Sequence, residues 1–202
     1  KISITAAHED GKGDYSAEVA ALAQASGDIL IVAGYLDQGG KGIIQTSLDT
    51  GAFEKFFLPD GMIGDSLPKA IGSDLNGSIG SVPGTDSPGA AKYSKLAKAN
   101  GFDSGPYGPE SYDAAALIML AMESAKSSDS NVFKKHVMDV ANAPGTKIFP
   151  GELAKAISLI KAGKSIDYVG ATALELVGSG ESSGSFAEIL IDNGKVNKVG
   201  YR

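Results

Sequence analysis

The chain has 202 residues, 43% hydrophobic and 21% charged, enough apolar mass for one large core or two small ones. A net charge of −6, with no Lys/Arg cluster to offset it, argues against nucleic acid as a partner. The absence of Cys excludes disulfides, thiol catalysis and thiolate metal sites, and the longest apolar runs, near 29–33 and 114–122, are too short for membrane insertion.

In chain order, residues 2–6 predict a short strand. Asp14 or Ser16 can cap a helix over 17–25, with Gly27 supplying the left-handed residue that ends it. Residues 28–33 are a continuous apolar run, the pattern of a strand covered on both faces. A helix over 40–49, ended by Gly51, leads to a strand at 55–58 that stops at Pro59-Asp60-Gly61. A short helix over 65–70 and a strand over 77–82 follow. This alternation predicts an α/β fold with a doubly wound parallel sheet. Ligands in such sheets sit beyond the C-terminal strand ends, which here are Gly34-Tyr35-Leu36-Asp37 and Pro59-Asp60-Gly61.

The second half predicts helices over 87–99, 109–125, 131–141 and 152–162. Residues 112–122 are apolar nearly all round, so that helix should be buried against something large. Leu153, Ala156, Ile157 and Ile160 make an amphipathic stripe that stops at Gly163. Strands are expected over 171–177, 186–191 and 196–201, the last two joined by the hairpin turn Asp192-Asn193-Gly194. Residues 178–185 are the loosest stretch.

Two enzyme motifs appear and fail. Gly180-Glu181-Ser182-Ser183-Gly184 has the spacing of a nucleophile elbow, but a strand follows it, and the two histidines, His8 and His136, both precede Ser182. Gly163-Lys164-Ser165 resembles the end of a phosphate loop, yet Ser158 stands where its leading Gly belongs, and a helix precedes it rather than a strand. No G-x-G-x-x-G follows a strand, so no dinucleotide cofactor is expected. His136, between Val132 and Val140, reads as a packed core residue, His8 as part of a solvated loop, and neither as a metal ligand.

Six segments in order carry a resemblance: Asp14-Tyr15-Ser16-Ala17, residues 28–32 leading to Gly34-Tyr35, Leu58-Pro59-Asp60-Gly61, residues 77–83, Tyr112-Asp113-Ala114, and residues 166–171. Together they resemble the type I periplasmic solute-binding proteins, specifically the branched-chain (leucine/isoleucine/valine) amino-acid-binding family of ABC transporters. The resemblance implies a two-lobed protein, longer than this chain, with its N-terminal part missing here and its leader removed or upstream. Residues 1–83 would form most of the C-terminal lobe, entered after that lobe's first strand and helix. Residues 84–180 would belong to the N-terminal lobe, and 181–202 would return as a closing hairpin. It implies a periplasmic carrier, not an enzyme, that needs no cofactor, captures an amino acid or related small molecule, and delivers it to the membrane subunits of an importer. A ligand-sensing regulatory module on the same fold is the alternative that the resemblance leaves open. Among site residues, Asp60 matches the acidic position that meets an ammonium group and Tyr35 the aromatic beside it, with Gly61 adjoining. Taken without the resemblance, Asp60 reads first as a turn residue, and Tyr35 reads equally as a packed strand-end aromatic. Asp113 is expected to order the start of its own helix.

Overall fold

Leu30, Val32, Phe56 and Leu58 are buried while Ile29 and Ile31 stand about half exposed, a period of two that gives the first sheet one packed face. The computed structural model describes residues 1–102, 105 and 107–202, and it divides into two units, Lys1–Val82 with Phe186–Arg202, and Pro83–Ser185.

The first unit is a five-stranded sheet in the order β1 (Leu30–Ile31), β2 (Phe56–Leu58), β3 (Ile79–Pro83), β8 (Phe186–Asp192), β9 (Lys195–Tyr201). β1, β2 and β3 run parallel, and β8 and β9 form an antiparallel hairpin. Helix α1 (Ser16–Ala23) precedes β1, and α2 (Gly40–Thr50) and α3 (Ser66–Ile71) connect the parallel strands. Val19, Ile43, Ile44 and Leu67 from these helices join the inward strand residues and Met62 in one core. Gly51 ends α2 in the expected left-handed conformation, and Asn193 and Gly194 both take positive φ in the hairpin turn.

The second unit is helix-rich. α4 (Pro88–Ala99) is capped by Ser87, whose Oγ accepts from the Ala90 N–H at 3.3 Å, and α5 (Gly108–Ala125) follows. α6 (Ser130–Phe133) and α7 (Val137–Ala141) are separated by a 3-10 turn over Lys134–His136. β4 (Thr146–Ile148) pairs in parallel with β5 (Ile166–Tyr168) across α8 (Leu153–Lys161). β6 (Leu176–Val177) and β7 (Glu181–Ser182) make a small antiparallel pair. The core gathers Leu117, Leu120, Val140, Ile148, Ile166 and Tyr168. No helix among the described residues is long and apolar enough to cross a membrane.

Several expectations are corrected. Residues 2–6 pair with no strand, and Ile2 is 76% exposed, because a strand forms only where a neighbour takes up its backbone groups. Ser26, not Gly27, takes the left-handed conformation after α1. The run 28–33 is covered on one face rather than two. α5 buries Asp113, Ala116, Leu117, Leu120 and Ala121 but leaves Ile118 and Met119 exposed, so it is covered on one side only. The expected helix over 131–141 breaks in the middle. Of the strand over 171–177 only Leu176–Val177 forms, and β4 and β5 arise where no strand is expected.

Candidate functional site

The loops that follow β1 and β2 lie side by side and interlock through glycines. After β1 the chain passes Gly34 and Tyr35 into a 3-10 turn over Leu36–Gln38. The Tyr35 carbonyl accepts from the N–H groups of Gln38 (3.2 Å) and Gly40 (3.1 Å), which fixes the turn. After β2, Pro59 leads into a second 3-10 turn over Asp60–Met62, closed by Met62 N–H to Pro59 O at 2.9 Å and Ile63 N–H to Asp60 O at 3.0 Å.

A Cβ on Gly61 would stand 2.6 Å from the Gly34 carbonyl oxygen and 3.1 Å from the Tyr35 ring, so the backbone at 61 lies directly against Tyr35. The Met62 side chain, fully buried, fills the space that a Cβ on Gly40 would need. Leu36 covers Gly64 in the same way. The result is a pair of interlocked loops at the C-terminal strand ends, with Tyr35 63% exposed and Asp60 also exposed. Gly61 thus adjoins Tyr35, with Asp60 next to it in the chain, and neither Asp60 nor Tyr35 is buried in the core. Asp37 is turned to Lys41 in an exposed i, i+4 ion pair at 2.5 Å.

His8 is not a solvated loop residue as expected. Its side chain is only 19% exposed and meets the Tyr15 ring edge-on with centroids 6.2 Å apart. It also abuts Gly34, where a Cβ would come within 3.2 Å of His8 Nε2. Tyr15 is buried, donates its hydroxyl to Glu9 O at 3.0 Å, and supports Gly39 from below. Residues 8–15 therefore buttress the loop that carries Tyr35, a role that only contacts distant in sequence could reveal.

A second constellation lies in the other unit. Asp113 is 2% exposed and does not order its own helix start. Its carboxylate accepts from Tyr168 Oη (2.8 Å), Ala171 N–H (2.8 and 2.9 Å), Thr172 N–H (2.8 Å) and Thr172 Oγ1 (2.8 Å). Burial, and then the neighbouring Asp113 charge, push the Tyr168 hydroxyl far above its ordinary range, so it remains a donor. The sequence displayed both halves of this clasp, Tyr112-Asp113 and residues 166–171, without the link between them. His136 is half-buried, with Nδ1 3.1 Å from Ser124 Oγ, and Val132 beside it is 40% exposed, so that face is only partly core. Among the described residues no group of three or more His, Asp or Glu could hold a metal ion.

No family model matches the sequence, and no curated protein matches it. Solved structures do. A leucine-binding protein from Thermotoga maritima matches over 95% of this chain and 49% of its own, with a TM-score of 0.67 at 18% identity. A type 1 periplasmic binding protein from Bordetella pertussis matches over 94% and 50%, with a TM-score of 0.60 at 15% identity. A solute-binding protein of an ABC transporter from R. palustris, in complex with benzoate, matches over 95% and 47%, with a TM-score of 0.55 at 14% identity. The fold is that of the type I periplasmic binding proteins, and the chain spans about half the length of these neighbours.

Proposed function

We propose that the chain is part of the substrate-binding component of an ABC importer, which captures an amino acid or a related small amine between two lobes. In this reading the Lys1–Val82 and Phe186–Arg202 unit is the C-terminal lobe and Pro83–Ser185 belongs to the N-terminal lobe. The protein works in the periplasm, passes its ligand to the membrane subunits, and performs no chemistry on it. The observation that supports the proposal is the pair of interlocked loops at the ends of β1 and β2, which carry Tyr35 and Asp60, both exposed residues, on adjoining backbone.

Asp60 supplies the charge that selects the ligand. A carboxylate over which a second lobe shuts makes a charge-assisted hydrogen bond to an ammonium group worth about 1.5–3 kcal/mol. The Tyr35 ring offers its face to the same cation, a contact worth about 0.5–2 kcal/mol depending on how far water is expelled. An anion such as benzoate would meet repulsion at Asp60, so the site favours amines over simple aromatic acids.

The test is calorimetric titration of the full-length protein with the common amino acids and with benzoate, before and after substitution. Asp60→Asn and Asp60→Ala should weaken amino-acid binding by about 10- to 150-fold, and Tyr35→Ala by less. Unchanged affinity in both Asp60 variants would remove the site assignment. Binding of benzoate without binding of any amine would overturn the ligand class.

A further inference from the structure

Three Asn-Gly pairs stand in the chain, at 76–77, 100–101 and 193–194. Asn is a thermolabile residue because the backbone nitrogen of the next residue can attack its side-chain amide carbon, and a following Gly, without a Cβ, hinders that attack least. The attack needs a backbone N–H that is not committed to an acceptor and a segment that can open. The structure separates the three pairs on both counts.

Gly77 donates its N–H to Ile191 O at 2.8 Å, which ties the turn before β3 to β8. The Asn76 N–H donates to Ser73 O (2.9 Å), and Asn76 O accepts from Lys55 Nζ (2.9 Å). Asn76 is itself half-buried. Asn100 and Gly101 close the C-terminus of α4. The Gly101 N–H bonds to Lys98 O at 3.2 Å, and Asn100 gives its backbone N–H to Ala97 O (3.1 Å) and its Nδ2 to Leu96 O (2.8 Å). Asn193, by contrast, is exposed at the tip of the β8–β9 hairpin, where it and Gly194 take φ of 51° and 67°. Its Nδ2 donates to Asp192 Oδ2 at 2.8 Å, a contact between two exposed side chains. Among the described residues the Gly194 N–H donates to no acceptor, and a Cβ at Gly194 would meet open space.

We infer that Asn193 is a site of self-modification, where the folded protein deamidates while it spares Asn76 and Asn100. The Gly194 nitrogen bonds to Asn193 Cγ as the Cγ–Nδ2 bond breaks. The proton from the Gly194 nitrogen leaves with Nδ2 as ammonia, and a cyclic imide remains. Water then opens the imide at either carbonyl, giving aspartate or isoaspartate with no change of oxidation state. Both products add a negative charge beside Asp192. Isoaspartate also inserts an extra carbon into the backbone of a turn whose register sets Asp192 opposite Lys195, so it loosens the hairpin at its tip. This assignment is independent of any ligand at Asp60.

Trypsin delivers the three pairs in separate peptides, 70–92, 99–126 and 165–195, each with a single Asn. The full-length protein is aged in mildly alkaline buffer at physiological temperature, and a second sample is aged unfolded in guanidinium chloride. Mass spectrometry with electron-transfer fragmentation then measures aspartate and isoaspartate in each peptide. In the folded sample the Asn193 peptide should convert at least about tenfold faster than the other two, the factor that one committed hydrogen bond sets on an opening equilibrium. In the unfolded sample the three should convert at similar rates. Hydrogen exchange of the Lys195 amide should be faster in the isoaspartyl fraction than in fresh protein. Folded Asn76 or Asn100 keeping pace with Asn193 would show that their committed N–H groups do not protect them, and would overturn the assignment. Asn193 slowed by folding as much as the other two would show that the turn protects it, and would overturn the assignment equally. Unchanged Lys195 exchange in the isoaspartyl fraction would refute the loosening of the hairpin.

Discussion

Asp113 shows how one side chain can decide the shape of a loop. Its two oxygens hold the hydroxyls of Tyr168 and Thr172 and the N–H groups of Ala171 and Thr172, all within 2.9 Å. Asp113→Ala leaves those donors buried without acceptors, at a cost of about 3 kcal/mol or more, measurable as a fall in the denaturant midpoint. Asp113→Asn should fall between, because its amide group turns a donor toward other donors. Gly89 guards the same loop from outside, since a Cβ there would collide with the Gly170 carbonyl oxygen. Gly89→Ala should therefore destabilise the second unit, although alanine is ordinarily the better helix residue. At the candidate site Gly61→Ala has a parallel effect. It separates the two loops and should weaken ligand binding with Asp60 and Tyr35 still in place.

Elements with their own local signals were legible in the sequence. α2 with its Gly51 stop, α8 with its apolar stripe, and the Asn193-Gly194 hairpin all form within a residue or two of expectation, because caps, periodicity and turn chemistry are local. Elements that depend on partners were not. Residues 2–6 lack one, and β4 and β5 are three-residue strands that exist through their pairing with each other. α8 also carries a pH signature. The Phe149 N–H donates to Glu152 Oε2 at 2.9 Å and holds that carboxyl below its ordinary value of 4.5. A depressed folded-state value means that the contribution is complete above 4.5 and fades as the pH falls through the lower one. Acid should therefore fray the start of α8, followed as a fall in the protection of the Phe149 amide relative to free chain at the same pH, and Glu152→Gln should remove that acid dependence.

At the scale of the whole molecule, the rhythm of strand and helix pointed to the fold class, and the rule that ligands lie beyond strand ends singled out residues 34–37 and 59–61, within which the family resemblance selected Tyr35 and Asp60. The sequence could not supply the reason those loops meet. That reason is Met62 beneath Gly40 and the Gly61 backbone against Tyr35, contacts between segments some twenty residues apart. The turn chemistry of Pro-Asp-Gly was legible as such, and Asp60 stands in a 3-10 turn over Asp60–Met62.

The first unit is assembled from two separated stretches, and β8 occupies the place next to β3. During synthesis the edge of β3 stays vacant until β8 has left the ribosome, after the whole of the second unit has been made. A chain ended after Ser185 would lose Ile191 from the core and leave that edge of β3 unpaired. Such a truncation should yield a native-like second unit attached to a first that cannot close, visible as the loss of dispersed amide resonances from the first unit alone. The hairpin thus acts as a latch, drawn shut on strands that were translated long before it.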